Sequence, residues 1–393
     1  MNEVKGMRKT ICMVGSGVVS IPPKFGGGIE IFIYEISKFI SKKMNSIVID
    51  RKETHEKNEE ICEGVKFYKI EAPKFKNIFL LRITEFMFGL KALKKIRMIK
   101  PDIIHLHTVF TGLPFAIFRF LLPKNSELIY TCHNPAWTVP DNELDKFNLL
   151  IEKVEHFIMQ KCHYITTDSK AARLCIIRKS GMSSQKIFAL YNFIDTKKFS
   201  KKSKKIWRKK IGVRGPIVLF VGKLIPSKGI EYLLKSIPSV AKKFPNVNFV
   251  IVGPMSFEQE KRNIWIDTVR RLGVSKNTIF AGAVSDNELP KIFSSADLFC
   301  FPTLRETFGI VLAEAMSAGL PVISSDLQTV KEITGGASVL VNRGDISELS
   351  NAVIRLLTNK ELRKKLSGKA IARSRLFDKR KVLKTYLNFY EKC

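Results

Sequence analysis

Short apolar runs alternate with longer stretches of helical period along most of the chain. In the first half the runs fall at Thr10–Val14, Ser46–Asp50, Val65–Ile70, Ile103–Leu106, Leu128–Cys132 and Tyr164–Thr167. They read as strands. Ile29–Lys42, Ile78–Met98, Phe115–Leu121, Asp145–Gln160 and Ser169–Lys179 carry helical patterns between them. Such alternation predicts a parallel sheet with helices on both faces. It pauses at Phe199–Arg214, where Ser200–Lys205 is polar and basic, as an exposed connection is. It resumes with strands at Ile217–Val221, Val247–Val252, Thr278–Ala281, Leu298–Phe301, Val322–Ser324 and Ser338–Val341.

The pattern therefore predicts an α/β chain of two units, 1–198 and 199–375. In the tail, 376–393, Val382, Leu383, Tyr386, Leu387 and Tyr390 fall on one helix face that must pack on something. Ligands of open parallel sheets bind beyond the carboxyl ends of the strands, which predicts a cleft between two such sheets.

Composition adds a charge and removes some classes. Lys and Arg total 67 against 36 acidic residues, a formal charge of +31. That excess attracts anionic partners without naming one. Nucleic acid, anionic lipid and nucleotide substrates stay open, as does a merely solvated lysine-rich surface. The seven cysteines are scattered and form no Cys-x-x-Cys pair, which suits a reducing cytosol and argues against a zinc site or disulfide framework. No secretory signal is apparent. Residues 103–122 are apolar but are broken by His105, His107, Gly112, Pro114 and Arg119, so they read as strand, loop and buried helix.

Candidate chemistry concentrates late in the chain. Glu306 and Glu314 bracket Phe308-Gly309-Ile310, where a loop opens into a helix. Free N–H groups at a helix start favour anionic oxygens, and carboxylates accept from hydroxyls. Lys223 and Lys228 flank the loop after Ile217–Val221 and could neutralise a diphosphate as it departs. Earlier, Gly26-Gly27-Gly28 suits a phosphate- or sugar-edge loop, or simply a tight strand–helix turn. His133 follows a strand; it serves as a hydroxyl donor or as an ordinary loop histidine. His105 and His107 share one side of a strand with no third ligand, so packing suits them better than metal. Asn192 ends a strand-like Lys186–Leu190 as a turn or as an edge of the cleft. Residues 73–122 mix lysines and arginines with Phe75, Phe79, Phe86, Phe88, Phe110, Phe115, Phe118 and Phe120. Such a mixture suits a lipid headgroup region, or a basic helix with core aromatics.

With these pieces in order, the chain resembles the retaining glycosyltransferases of family 4, also called group 1. The matching segments include Gly26–Glu30, Thr131–Asn134, Tyr191–Asp195, Val221–Lys223, Lys228-Gly229, Ile251–Gly253, Phe280–Val284, Ala296-Asp297 and Glu306–Val322. The resemblance implies the GT-B architecture: two facing Rossmann-like domains with parallel sheets and an interdomain cleft, the tail helix returning to the first. It implies that Glu314 holds the donor ribose. Glu306 and the backbone of Phe308, Gly309 and Ile310 would hold the donor sugar and phosphates. Lys223 and Lys228 would stabilise the leaving diphosphate, and Gly26, Gly27 and Gly28 would approach it from the first domain. His133 would contact the sugar, Asn192 would edge the site, and Ala283 and Val284 would lie beside the base. Lys223 stands where the family more often has Arg, and Phe193 where Gly is usual.

The activity implied is hexosyl transfer with retention from a UDP-, GDP- or ADP-sugar to a lipid-linked or cell-surface glycan acceptor, with no cofactor and no metal. The expected setting is the cytoplasm, at an anionic inner membrane face, with no specific nucleic acid partner. A soluble synthase of a disaccharide, sugar phosphate or glucan is the alternative; a non-catalytic GT-B binding protein is a third reading.

Overall fold

The computed structural model describes residues 8–23, 27–73, 75, 77–138, 144–200, 204–254 and 259–393. The chain forms two compact units. One joins Met1–Tyr191 to Leu383–Cys393, and the other is Asn192–Val382.

The first unit runs β1 (Thr10–Val14), α1 (Gly28–Ile40), β2 (Asn45–Arg51), β3 (Glu59–Cys62), β4 (Val65–Ile70), α2 (Ile78–Ile99), β5 (Ile103–Leu106), α3 (Val109–Ile117), β6 (Glu127–Cys132), α4 (Lys146–Lys161), β7 (Tyr164–Thr167), α5 (Lys170–Ser180) and β8 (Ile187–Ala189). Its sheet has the order β3-β4-β2-β1-β5-β6-β7-β8. All neighbours are parallel except β3, which pairs antiparallel with β4. Parallel strands alone were expected. The hairpin escapes a hydrophobic reading because every residue of β3 is exposed. Its turn is Glu63-Gly64 with both φ values positive, a geometry matched to antiparallel strands.

Strand alternation sorts the two faces of this sheet. Ile104 and Leu106 of β5, with Leu128, Tyr130 and Cys132 of β6, join the core formed with α2, α3 and α4. His105, His107 and Thr131 take the opposite phase. There His105 Nδ1 lies 2.8 Å from the Tyr390 hydroxyl of the chain's last helix. The helix expected at Phe115–Leu121 instead begins at Val109, runs through Pro114, and gives way to a 3₁₀ turn at Arg119–Leu121. One missing N–H does not stop a segment whose Phe115 and Ala116 are buried.

The second unit runs α6 (Thr196–Ser200), α7 (Lys204–Lys210), β9 (Ile217–Val221), α8 (Ile230–Lys243), β10 (Asn248–Val252), α9 (Gln259–Arg271), β11 (Thr278–Gly282), α10 (Leu289–Ser295), β12 (Leu298–Phe301), α11 (Ile310–Ser317), β13 (Val322–Ser325), α12 (Gln328–Thr334), β14 (Ser338–Val341), α13 (Ile346–Thr358) and α14 (Lys360–Ser374). Its sheet, β11-β10-β9-β12-β13-β14, is parallel throughout. The basic segment expected as a plain connection contains α7. Arg208 there donates to the carbonyls of Ser295 at 2.8 Å and Gly215 at 3.0 Å, and pairs with Asp297. The final helix, α15 (Lys379–Lys392), carries Tyr386, whose hydroxyl donates to the Leu190 carbonyl at 3.0 Å. Among the described residues, no helix is long and apolar enough to cross a membrane.

Candidate functional site

In the second unit the candidate residues collect at the carboxyl ends of β9, β11 and β12, where parallel sheets bind ligands. After β9 the chain makes a one-turn 3₁₀ helix, Pro226–Lys228, ended by Gly229 at φ 74°. A side chain at Gly229 would put its Cβ 1.8 Å from the Pro302 carbonyl oxygen, so glycine is required for this close approach. Two hydrogen bonds fix the approach. Leu304 N donates to the Ser227 carbonyl at 2.9 Å, and Thr303 Oγ1 does so at 3.2 Å. The loop after β12 is thereby held against the loop after β9.

That registration brings Lys228 Nζ to 2.7 Å from Glu306 Oε2. The ammonium also lies 5.7 Å from the centre of the Phe301 ring. Glu306 is buried, and its other oxygen accepts from Thr307 N at 3.2 Å. Lys223, by contrast, is exposed, and among the described residues it has no ion-pair partner. Lys228 is thus ion-paired and partly covered, while Lys223 is exposed.

Gly309 starts α11 at φ 80°, and a Cβ there would meet Leu312 at 2.8 Å. Glycine brings no side chain to cap the helix, so the amides of Ile310 and Val311 have no intrahelical acceptor, as in the first turn of any helix. Phe308 is buried and meets Phe377 edge-on, with ring centres 5.1 Å apart. Glu306 therefore belongs to the loop and Glu314 to the helix. Glu314 is half-buried at its surface but deeply enclosed by protein atoms, and this burial pushes its carboxyl up to about 8; Lys198 opposes the rise and Asp286 adds to it. Ala283 and Val284 follow β11, the first exposed and the second half-buried. Lys198 and Asp286, which pair at 3.8 Å, were not anticipated around Glu314.

In the first unit Gly26 lies outside the described residues. Gly27 has φ 82°, and Gly28 opens α1. Glu30 of α1 is buried and accepts from Ser16 Oγ at 2.6 Å, tying the loop after β1 to the helix start. Ser16 is held in turn by Thr111, whose hydroxyl donates to its carbonyl at 2.9 Å. His133, just past β6, is joined through Nδ1 to Asp168 Oδ2 at 3.0 Å. Burial alone would lower the His133 pKa, but Asp168, Glu155 and Glu30 outweigh it and the net shift is upward. His107 stacks against His133 with ring centres 5.8 Å apart, and Phe32 of α1 meets both rings edge-on. Burial drives His107 well below 6.5 and His105 to about 3, so both are neutral. His105 is spoken for by Tyr390 and by Thr131 at 2.7 Å. Among the described residues, no three His, Cys, Asp or Glu side chains are grouped to hold a metal. Asn192, expected at an edge, is buried at the first position of the second unit. Asp168 was missed by sequence reading, although it follows β7 directly, as His133 follows β6.

Models of two families cover most of the chain: Glycosyltransferase Family 4 over residues 26–198, and Glycosyl transferases group 1 over residues 201–373. The chain belongs to the family 4, group 1 glycosyltransferases. Its two α/β units are those of the GT-B fold, as the solved likenesses agree. Sucrose-phosphate synthase from Thermosynechococcus elongatus matches with a TM-score of 0.82 at 19% identity, covering 98% of this chain and 99% of that one. HepE of Anabaena, in complex with UDP and glucose, matches with a TM-score of 0.78 at 19% identity, over 99% and 100% of the two chains. A phosphatidyl-myo-inositol mannosyltransferase of Mycobacterium leprae is 34% identical over 181 residues, 45% of this chain and 46% of that one. This glycosyltransferase therefore has two α/β units whose sheets are parallel apart from the β3–β4 pair.

Proposed function

We propose that this glycosyltransferase moves a hexosyl group from a nucleoside diphosphate sugar to a lipid-linked or cell-surface glycan acceptor, with retention at the anomeric carbon. The bond from that carbon to the diphosphate oxygen breaks. A bond to the acceptor hydroxyl oxygen forms on the same face, and the hydroxyl proton passes to the departing diphosphate. Glu314 takes the ribose hydroxyls, and Ala283 and Val284 lie along the base. The amides at Phe308, Gly309 and Ile310 take phosphate and sugar oxygens together with Glu306. Lys223 and Lys228 stabilise the charge that builds on the diphosphate, so no metal enters the proposal and chelator should leave the rate unchanged. In the first unit, His133, oriented by Asp168, donates to a sugar hydroxyl and the Gly27-Gly28 turn approaches the diphosphate, while Asn192, at the start of the second unit, edges the site.

The observation that carries this reading is the Lys228–Glu306 pair beside the Gly309-opened helix start, with Glu314 within the same helix. A structural ion pair needs neither the open N-terminus nor a second carboxylate beneath it. The lipid-linked acceptor draws support from the mannosyltransferase likeness and from the positive charge, and it places the enzyme at the inner face of the cell membrane. Donor hydrolysis and transfer by Glu306→Ala and Lys228→Ala test the site. Full activity in both variants overturns it.

A further inference from the structure

Two helices of the first unit sort their charges by sign. In α2 the one carboxylate, Glu85, is buried and paired with Arg82 at 2.8 Å. Lys91, Lys94 and Arg97 of the same helix are exposed. In α4 both carboxylates face inward. Glu152 pairs with Lys179 at 3.2 Å, and Glu155 accepts from the Tyr130 hydroxyl at 2.6 Å and the Trp137 indole at 2.8 Å. Lys146, Lys153 and Lys161 are exposed. The exposed charges within both helices are therefore all cationic; the exposed acid at the start of α4 is its N-cap, Asp145.

The same sides carry large apolar groups. Phe79, Ile83 and Met87 recur every fourth residue along α2 and are exposed, Phe79 at 70%. Phe147, Leu150 and Phe157 make a second exposed row on α4, Leu150 at 57%. α3 packs against both α2 and α4, so the rows belong to one helical layer on one face of the sheet. Phe120, in the 3₁₀ turn after α3, is 79% exposed. Of the eight phenylalanines in residues 73–122 first read as a surface, Phe88 and Phe115 are in the core. The α4 row, absent from that reading, replaces them.

We infer that the outer side of the α2–α3–α4 layer is a docking surface for an anionic lipid bilayer. Apolar side chains of this size gain by entering the headgroup boundary, and surrounding ammonium groups gain from anionic headgroups. A second copy of the chain is disfavoured as the occupant, because it would bring two predominantly cationic faces together. Nucleic acid would use the charge but not the rows of exposed aliphatic and phenyl groups. The inference extends the proposed membrane-side acceptor but stands on its own observations.

The test is co-sedimentation of the full chain with vesicles of phosphatidylcholine, with and without phosphatidylglycerol, at about 0.15 M salt. Binding to the anionic vesicles is expected, with little to the neutral ones. Two variants are compared, Phe79→Ser/Ile83→Ser/Phe147→Ser/Leu150→Ser and Lys94→Glu/Lys146→Glu/Lys153→Glu. All these positions are exposed, so both should fold. Each should lose vesicle binding by about tenfold or more while donor hydrolysis is unchanged. No binding by the parent chain, equal binding by either variant, or a dimer that the serine variant dissolves, would each overturn the surface. Loss of the hydrolytic activity in the parent chain, with vesicle binding intact, would remove the proposed enzymatic reading and leave the surface standing.

Discussion

Lys228 and Glu306 meet at 2.7 Å although 78 residues separate them, and they meet because Gly229 lets one loop press on the carbonyl of Pro302. The pair holds a cation in place while satisfying a buried carboxylate. An incoming diphosphate offers Lys228 a second anionic partner without requiring the loop to move.

Gly229→Ala tests that registration. The added methyl meets the Pro302 oxygen and the residue must also keep a positive φ. Destabilisation of about 2–4 kcal/mol is expected in denaturant melts. Nucleoside diphosphate affinity should fall with it, because the two loops separate. An unchanged melt would mean that the loops are not locked by this contact.

Glu314 gives a pH signature. Its carboxyl sits at about 8 in the fold against an ordinary 4.5, raised by burial. The folded state thus keeps a proton that the unfolded chain loses first. The stability this contributes is complete below pH 4.5 and is lost as pH rises through 8. Glu314→Gln should flatten that dependence and be more stable than the parent at pH 9 by on the order of a few kcal/mol. Calorimetry of nucleoside diphosphate binding near pH 7 should show proton release by the parent and none by the variant, if the ionised carboxylate is the form that takes the ribose.

His133 titrates under the hand of Asp168. Burial lowers its pKa, and the carboxylates of Asp168, Glu155 and Glu30 bring the net value above 6.5. The stability gained from the charged ring is complete below 6.5 and is lost as pH rises through the raised folded value. Asp168→Asn leaves burial as the main influence, so the ring signal in NMR titration should move to lower pH. An unmoved titration would detach Asp168 from the ring's behaviour.

Asp50 and Lys69 are a buried ion pair at 3.0 Å in the first unit, and the Asp50 carboxylate also accepts from Ile21 N at 2.8 Å. They pin the loop after β1. Asp50→Ala strands the ammonium and the amide together, which should cost about 3 kcal/mol in thermal or chemical unfolding. Glu56 and Glu60, within 3.7 Å and 3.6 Å of the same ammonium, limit the loss.

Much of this was legible from residue order, and the reasons differ by element. Thr10–Val14 and Leu298–Phe301 are apolar runs with both sides covered, so hydrophobicity alone marks them, whereas Val65–Ile70 alternates buried and half-buried positions. β3 is exposed throughout and leaves no such trace. Glu306 and Glu314 could be assigned to loop and helix because Gly309 interrupts them, and the left-handed φ at Gly309 is the cause. The partners could not be read. Lys228 with Glu306, His133 with Asp168 and Lys198 with Asp286 are contacts of folding, far apart in order. Asp168 was within reach, since a carboxylate directly after a parallel strand occupies the same kind of position as His133. The tail's apolar face announced packing, but only Tyr386 and Tyr390 in place show that its partner is the histidine side of the first sheet.

The most direct test of the central claim is release of nucleoside diphosphate from UDP-, GDP- and ADP-sugars by the purified chain and by Glu306→Ala and Lys228→Ala. One donor should be turned over by the parent, and each variant should lose about a hundredfold or more in kcat while remaining folded. Turnover of no donor by the parent, or full turnover by both variants, would contradict the assignment of the Lys228–Glu306 site to donor chemistry.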